Sequence, residues 1–198
     1  MVLGLQQLPR NVCLLMPIPS TMLPLGTVAP DFELTDTCTH NRFRMHGQPA
    51  VATVLAFICN HCPSVIHMID EFVAFASAAQ KRGVRVLAIC SNDSVAYPQD
   101  APEKMLQFAT EHGFTFPYLV DETQQTARDY QAACTPDLYV FDADLCCVYR
   151  GRFDESTPGN NKPVTGFDLR EAIESILNGQ PVNTDQFPSV GCSIKWRM

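Results

Sequence analysis

Two apolar runs of strand length, Val51–Ile58 and Val84–Ile89, bracket a segment whose apolar residues recur at helical spacing. That strand–helix–strand order predicts an α/β domain with a central sheet flanked by helices. A later pair of runs, Leu138–Asp142 and Leu145–Arg150, meets at Ala143 and Asp144 and reads as an antiparallel hairpin. The sheet should therefore be mixed: mostly parallel through the crossovers, with antiparallel strands added at the edge.

The first 28 residues are Pro-rich without periodicity and read as an extended arm over the surface. Asp31–Leu34 and Asn41–Met45 read as a strand pair around a turn at Thr35–His40. Val51–Ile58 is apolar throughout, which suits a strand covered on both faces. From Pro63 to Arg82 the stripe Val65, Ile66, Ile69, Phe72, Val73 and Ala76 predicts a helix stopped by Gly83. Val84–Ile89 is a second buried strand, and Ser91–Gln99 is a polar loop. Asp100 and Glu103 have capping-box spacing for a helix carrying Met105, Leu106, Phe108 and Ala109, closed by Gly113. Pro117–Val120 is a short strand and Glu122–Ala132 a further helix. After the hairpin, Asp168–Leu177 is a last amphipathic helix capped at Gly179, and a Pro-containing tail runs from Pro181 to the end.

Composition narrows the function. The 198 residues are 46% hydrophobic and 18% charged, enough for one core and unlike a disordered chain. A formal charge of −7 disfavours nucleic-acid or anionic-membrane binding, both of which need a concentrated basic surface. No apolar run approaches the length that spans a bilayer, so no membrane partner is expected. Nine cysteines, an odd number that includes the adjacent Cys146 and Cys147, do not suit a secreted disulfide scaffold. The Pro-interrupted N-terminus lacks a clear signal-peptide pattern, so a cytoplasmic location is expected.

The chemistry concentrates at Cys59-Asn60-His61-Cys62-Pro63, between a buried strand and a helix. A Cys in a first helical turn faces free backbone N–H groups and the positive end of the helix dipole, which favour thiolate. Cys62, three residues on, could close a small disulfide ring. Cys59 is then the exposed nucleophile, Cys62 the more buried resolving thiol, and Asn60 and His61 tune the pair; an imidazolium at His61 would favour the reduced form. Taken alone, the two cysteines are equally half of a zinc site, but no second Cys or His pair of matching spacing follows. Thr135-Pro136 precedes a strand and is a candidate cis peptide, aiming the backbone before it outward as an edge for an extended substrate.

Taken together, these motifs resemble the thioredoxin superfamily, and more narrowly its peroxiredoxin-like branch grouped with AhpC/TSA sequences. Ala29-Pro30-Asp31-Phe32, Cys59-Asn60-His61-Cys62-Pro63, Cys134-Thr135-Pro136-Asp137, Gly151-Arg152-Phe153-Asp154 and Gly191-Cys192-Ser193-Ile194-Lys195-Trp196 carry the likeness in order. The resemblance implies a thioredoxin fold over residues 26–178, with an arm at 1–25 and a tail at 179–198 packed on the domain. It also implies Cys59 and Cys62 as the redox pair and Pro136 as the cis-proline.

Two departures bear on the reaction. Where peroxiredoxins place Pro and a Thr or Ser seven and three residues before the reactive Cys, this chain has Ala52 and Ala56. No acid lies in Val51–Ile58 to act as a buried base. A thiol–disulfide oxidoreductase is the leading reading, with Thr135 and Pro136 holding the substrate. Its partners would be protein or small-molecule disulfides and a thiol reductant, with no cofactor and no resident metal. The alternatives are a peroxidase that reduces hydroperoxides through Cys59, and a copper-binding protein using Cys59, Cys62 and either His61 or His67. Cys134 is a candidate third thiol or a core filler, and Cys192 either docks near the site or is inert.

Overall fold

The structure, a computed structural model, describes residues 17–198; most of the N-terminal arm lies outside the described residues. Ten strands and four α-helices follow in order: β1 (Ile18–Pro19), β2 (Glu33–Asp36), β3 (Arg42–Arg44), β4 (Ala52–Phe57), α1 (Pro63–Gln80), β5 (Val84–Cys90), α2 (Pro102–Glu111), β6 (Tyr118–Val120), α3 (Gln125–Asp129), β7 (Cys134–Thr135), β8 (Asp137–Phe141), β9 (Cys147–Gly151), α4 (Phe167–Leu177) and β10 (Val190–Ser193). The main sheet runs β3-β2-β6-β5-β4-β8-β9, and a smaller one runs β1-β10-β7.

The mixed sheet is as predicted, but it is not mostly parallel. Only β4–β5 and β5–β6 pair in parallel. β2 pairs antiparallel with both β3 and β6, and β4 with β8. The early strand pair, which sequence order leaves unplaced, docks on β6 and so extends the antiparallel part. The predicted helix over Glu122–Ala132 also shrinks to α3. Gln124 and Gln131 take left-handed backbone at φ 62° and 53°, which an α-helix cannot accommodate, so they bound it on each side.

Strand β4 is buried at every position and alternates between two cores. Val54 and Ala56 face α1 and α4 together with Ile69, Phe72 and Ile173; Leu55 and Phe57 face the opposite layer with Tyr130, Tyr139 and Phe141. In α1, Val65, Ile69, Phe72 and Ala76 are buried as the stripe predicts, whereas Ile66 is exposed. Met68, Phe75 and Ala79 complete the inward face. Gly83, at φ 84°, lets the chain turn directly into β5.

Candidate active site

The centre of the sheet delivers the site. The Ile58 N–H donates to the Ile89 carbonyl at 3.0 Å, holding the end of β4 in register as the chain leaves the sheet at Cys59. Asn60 and His61 form a turn, Cys62 is the N-cap of α1, and Pro63 takes the first helical position, where its missing N–H costs nothing. This start corrects the expected placement. Cys59 lies before the helix, so the free N–H groups of the first turn lie nearest Cys62, which is the N-cap but makes no side-chain cap hydrogen bond. Cys59 is not exposed either: it shows 1% of its surface, and Cys62 none.

Thr135 joins the two thiols. Its hydroxyl lies 3.3 Å from the Cys59 sulfur, and its carbonyl accepts from the Cys62 thiol at 3.0 Å. The bond from Thr135 to Pro136 is cis, as the pairing of Thr-Pro with the two cysteines suggests. The two thiols also lie close enough for each to alter the other's ionisation. That proximity, with burial and the negative charge of Asp100, pushes the Cys59 thiol up, while the Thr135 hydroxyl pulls it down. The same proximity, with help from Cys192 and the Val65 N–H, pulls the Cys62 thiol down against burial. The Thr135 carbonyl favours the opposite arrangement, with the proton on Cys62. The pair therefore ionises as a unit: the first proton leaves readily and the second is held tightly.

Asp100 supplies an acid near the thiols that β4 lacks. It does not form the expected capping box; Ala101 is the N-cap of α2 and has no side-chain cap. The Asp100 carboxylate is instead drawn into the site, where the Asn60 N–H (2.9 Å) and the Asn92 side-chain amide (2.8 Å) donate to it. His61 Nδ1 lies 2.9 Å from Asp100 Oδ2 without forming a hydrogen bond to it. The His61 ring stacks on Tyr97, and Tyr118 donates to the Asn60 side chain at 3.1 Å. Donor atoms of Cys59, His61 and Asp100 lie within 4.8 Å of one another. That set differs from the expected metal ligands, since it omits Cys62 and His67. The His67 ring meets Ser156 at 2.7 Å instead.

The backbone edge at Thr135, expected to receive a substrate, is paired with the chain's own tail. β10 runs antiparallel to β7, with Cys192 opposite Thr135 and Ser193 opposite Cys134. Cys192 thereby joins the buried cluster that holds Cys59 and Cys62. Cys134 is fully buried, its thiol turned to the Pro136 carbonyl at 3.5 Å and its acidity suppressed by burial. Sequence reasoning missed Asp100, because its spacing to Glu103 offered a sufficient local explanation. It left Cys192 undecided, because the register of a tail against a two-residue strand has no periodic signal. Two adjoining clefts, sharing Ser64, Thr157, Pro158 and Val190, open beside the start of α1; one is lined by Pro136, the other by Cys192.

The chain is 29% identical over 159 residues to the thiol-disulfide oxidoreductase ResA of Geobacillus kaustophilus (strain HTA426), covering 79% of this chain and 80% of that one. A crystal structure of an uncharacterized conserved protein from Geobacillus kaustophilus superposes with a TM-score of 0.90 at 50% identity, over 91% of this chain and 96% of the other. The thioredoxin domain of a thiol-disulfide oxidoreductase from Bacteroides vulgatus matches with a TM-score of 0.59 at 12% identity, over 77% and 99%, which shows the shared fold. The model of the AhpC/TSA family matches residues 25–149, a span that holds β2 to β8 and both site cysteines. With the thioredoxin fold around them, these residues make the chain a member of the AhpC/TSA family.

Proposed function

We propose that the protein is a thiol–disulfide oxidoreductase in which Cys59 and Cys62 cycle between dithiol and disulfide. The observation that carries this reading is that Thr135 joins the two sulfurs, its hydroxyl beside Cys59 and its carbonyl accepting from Cys62. Cys59, as thiolate, attacks one sulfur of a substrate disulfide and releases the other as a thiol. Cys62 then attacks the mixed disulfide at the Cys59 sulfur, and the reduced substrate leaves. The Thr135 hydroxyl steadies the charge on Cys59, and Asn60, His61 and Asp100 border the reacting sulfur. A thiol reductant returns the pair to the dithiol, and the same steps reversed oxidise a substrate dithiol. The buried sulfurs require the surrounding turn to open for a protein disulfide to reach them.

Cys59→Ser should abolish turnover of a model peptide disulfide, and Cys62→Ser should trap the mixed disulfide for identification by mass spectrometry. Normal turnover by Cys62→Ser would remove the two-cysteine mechanism.

One observation favours a second reading, hydroperoxide reduction. The hydroxyl missing at Ala56 is matched by that of Thr135 at 3.3 Å from the Cys59 sulfur. Stopped-flow traces of the fully reduced protein separate the two. Peroxide reaction no faster than a free thiol, beside brisk disulfide exchange, supports the oxidoreductase; fast peroxide reaction supports the peroxidase.

A further inference from the structure

Cys59 and Cys62 have a third sulfur beside them. Strand β10 brings Cys192 opposite Thr135 and into the same buried cluster as Cys59 and Cys62. The approach depends on the residue before it. A Cβ on Gly191 would overlap the Thr135 carbonyl oxygen and lie 2.7 Å from the carbonyl carbon. Only glycine lets the tail lie this close to the strand that carries Thr135. Behind the contact the tail is anchored: Lys195 accepts a backbone hydrogen bond from Asp93 and donates one to the Asn92 side chain, and the Arg197 N–H donates to Gln124. Cys192 is also the most exposed of the three, at 6%, and it lines the cleft formed with Pro63, Ser64 and Val190.

We propose that Cys192 is a third redox thiol, which takes the disulfide over from Cys59 by forming a Cys62–Cys192 bond. The inference rests on the reading of Cys59 and Cys62 as a redox pair. After a substrate has been reduced, Cys59 and Cys62 are joined. The Cys192 thiol gives up its proton and attacks the Cys62 sulfur; the Cys59–Cys62 bond breaks as the Cys62–Cys192 bond forms, and Cys59 leaves as thiolate and takes up a proton. No electrons enter or leave, because the substrate disulfide has already supplied the oxidising equivalent. Cys59 is a free thiol again, while the disulfide now faces the cleft beside α1. A dithiol reductant entering there attacks Cys192 and expels Cys62, which lies nearest the free N–H groups of the first turn of α1 and so leaves readily as thiolate. In the reduced protein burial first, and then the nearness of Cys62, hold the Cys192 thiol up to about 12, while Lys195 pulls it down. Once Cys62 is in a disulfide its share of that push is gone.

The test is disulfide mapping of the full-length protein. Reduced wild type, Cys59→Ser, Cys192→Ser and Gly191→Ala are each treated with a model peptide disulfide until thiol loss stops, then acid-quenched, alkylated and digested. Wild type should contain both Cys59–Cys62 and Cys62–Cys192 linked peptides, Cys192→Ser only Cys59–Cys62, and Cys59→Ser, which lacks the nucleophile and the bond to be handed over, neither. Gly191→Ala keeps all three thiols but displaces β10, so its yield of the Cys62–Cys192 link should fall about tenfold or more, as the effective concentration of the third thiol drops. Wild type that holds the Cys59–Cys62 link alone overturns the inference, as does an unchanged yield of the Cys62–Cys192 link in Gly191→Ala. If the Cys59–Cys62 link is absent from wild type while Cys62–Cys192 forms, it is the underlying two-cysteine reading that fails.

Discussion

Asp100 is 2% exposed, yet its carboxylate meets His61, Asn60 and Asn92, and its negative charge pushes the Cys59 thiol up. Asp100→Asn preserves an oxygen for the Asn60 N–H and removes the charge. With that repulsion gone, the Cys59 thiolate becomes easier to form, so the titration of thiolate absorbance should move to lower pH. The expected shift is about half to one pH unit, the size of one screened charge at close range. A midpoint that stays put, or moves up, would show that Asp100 is only a scaffold for the turn. The same variant separates charge from packing, because its urea midpoint reports the lost hydrogen-bond strength independently of the titration.

Helix α1 does two jobs at the scale of elements: its first turn holds Cys62, and its inward face fixes that turn against the sheet. Phe72 is central to the second job, packed edge-on against Phe116 and Phe153 and tilted against Phe75 at ring separations of 5.6 to 6.0 Å. Phe72→Ala empties that cluster and should cost about 3–5 kcal/mol, read as a lower urea midpoint at unchanged slope. A loss below about 1 kcal/mol would mean that the neighbouring rings close over the gap. Elements of this kind are legible in sequence. The stripe from Val65 to Ala76, the apolar run before Cys59 and the glycine at 83 each state a period or a stop that local physics must obey. The site is only half legible by the same means. Cys59, Cys62, Thr135 and Pro136 stand out because strand, turn and helix are adjacent in the chain or marked by proline. Asp100 and Cys192 arrive from 40 and 130 positions beyond Asn60 and Cys62, through a loop and a tail whose paths are set by tertiary hydrogen bonds. Nothing periodic records such a path.

For the whole molecule, redox state and folding stability are two sides of one cycle. The reduced site holds interactions that a Cys59–Cys62 disulfide must give up: the contact of the Cys59 thiol with the Thr135 hydroxyl and the bond from the Cys62 thiol to the Thr135 carbonyl. Each is worth on the order of 1 kcal/mol and exists only in the folded chain. Oxidising the folded protein therefore costs more than oxidising the unfolded one, and the difference must appear twice. It makes the folded dithiol a weaker reductant than the unfolded one, with a less negative potential. It also makes the reduced protein the more stable form towards urea. The measurement is a pair of experiments on the same sample: a glutathione redox titration of folded and urea-unfolded protein, and urea unfolding of the oxidised and reduced forms. Since about 30 mV corresponds to 1.4 kcal/mol for a two-electron couple, the two differences should agree in size and sign. A more stable oxidised protein with a potential more negative than that of the unfolded chain would mean that the reduced site is not stabilised by these contacts, and that the fold instead favours the disulfide.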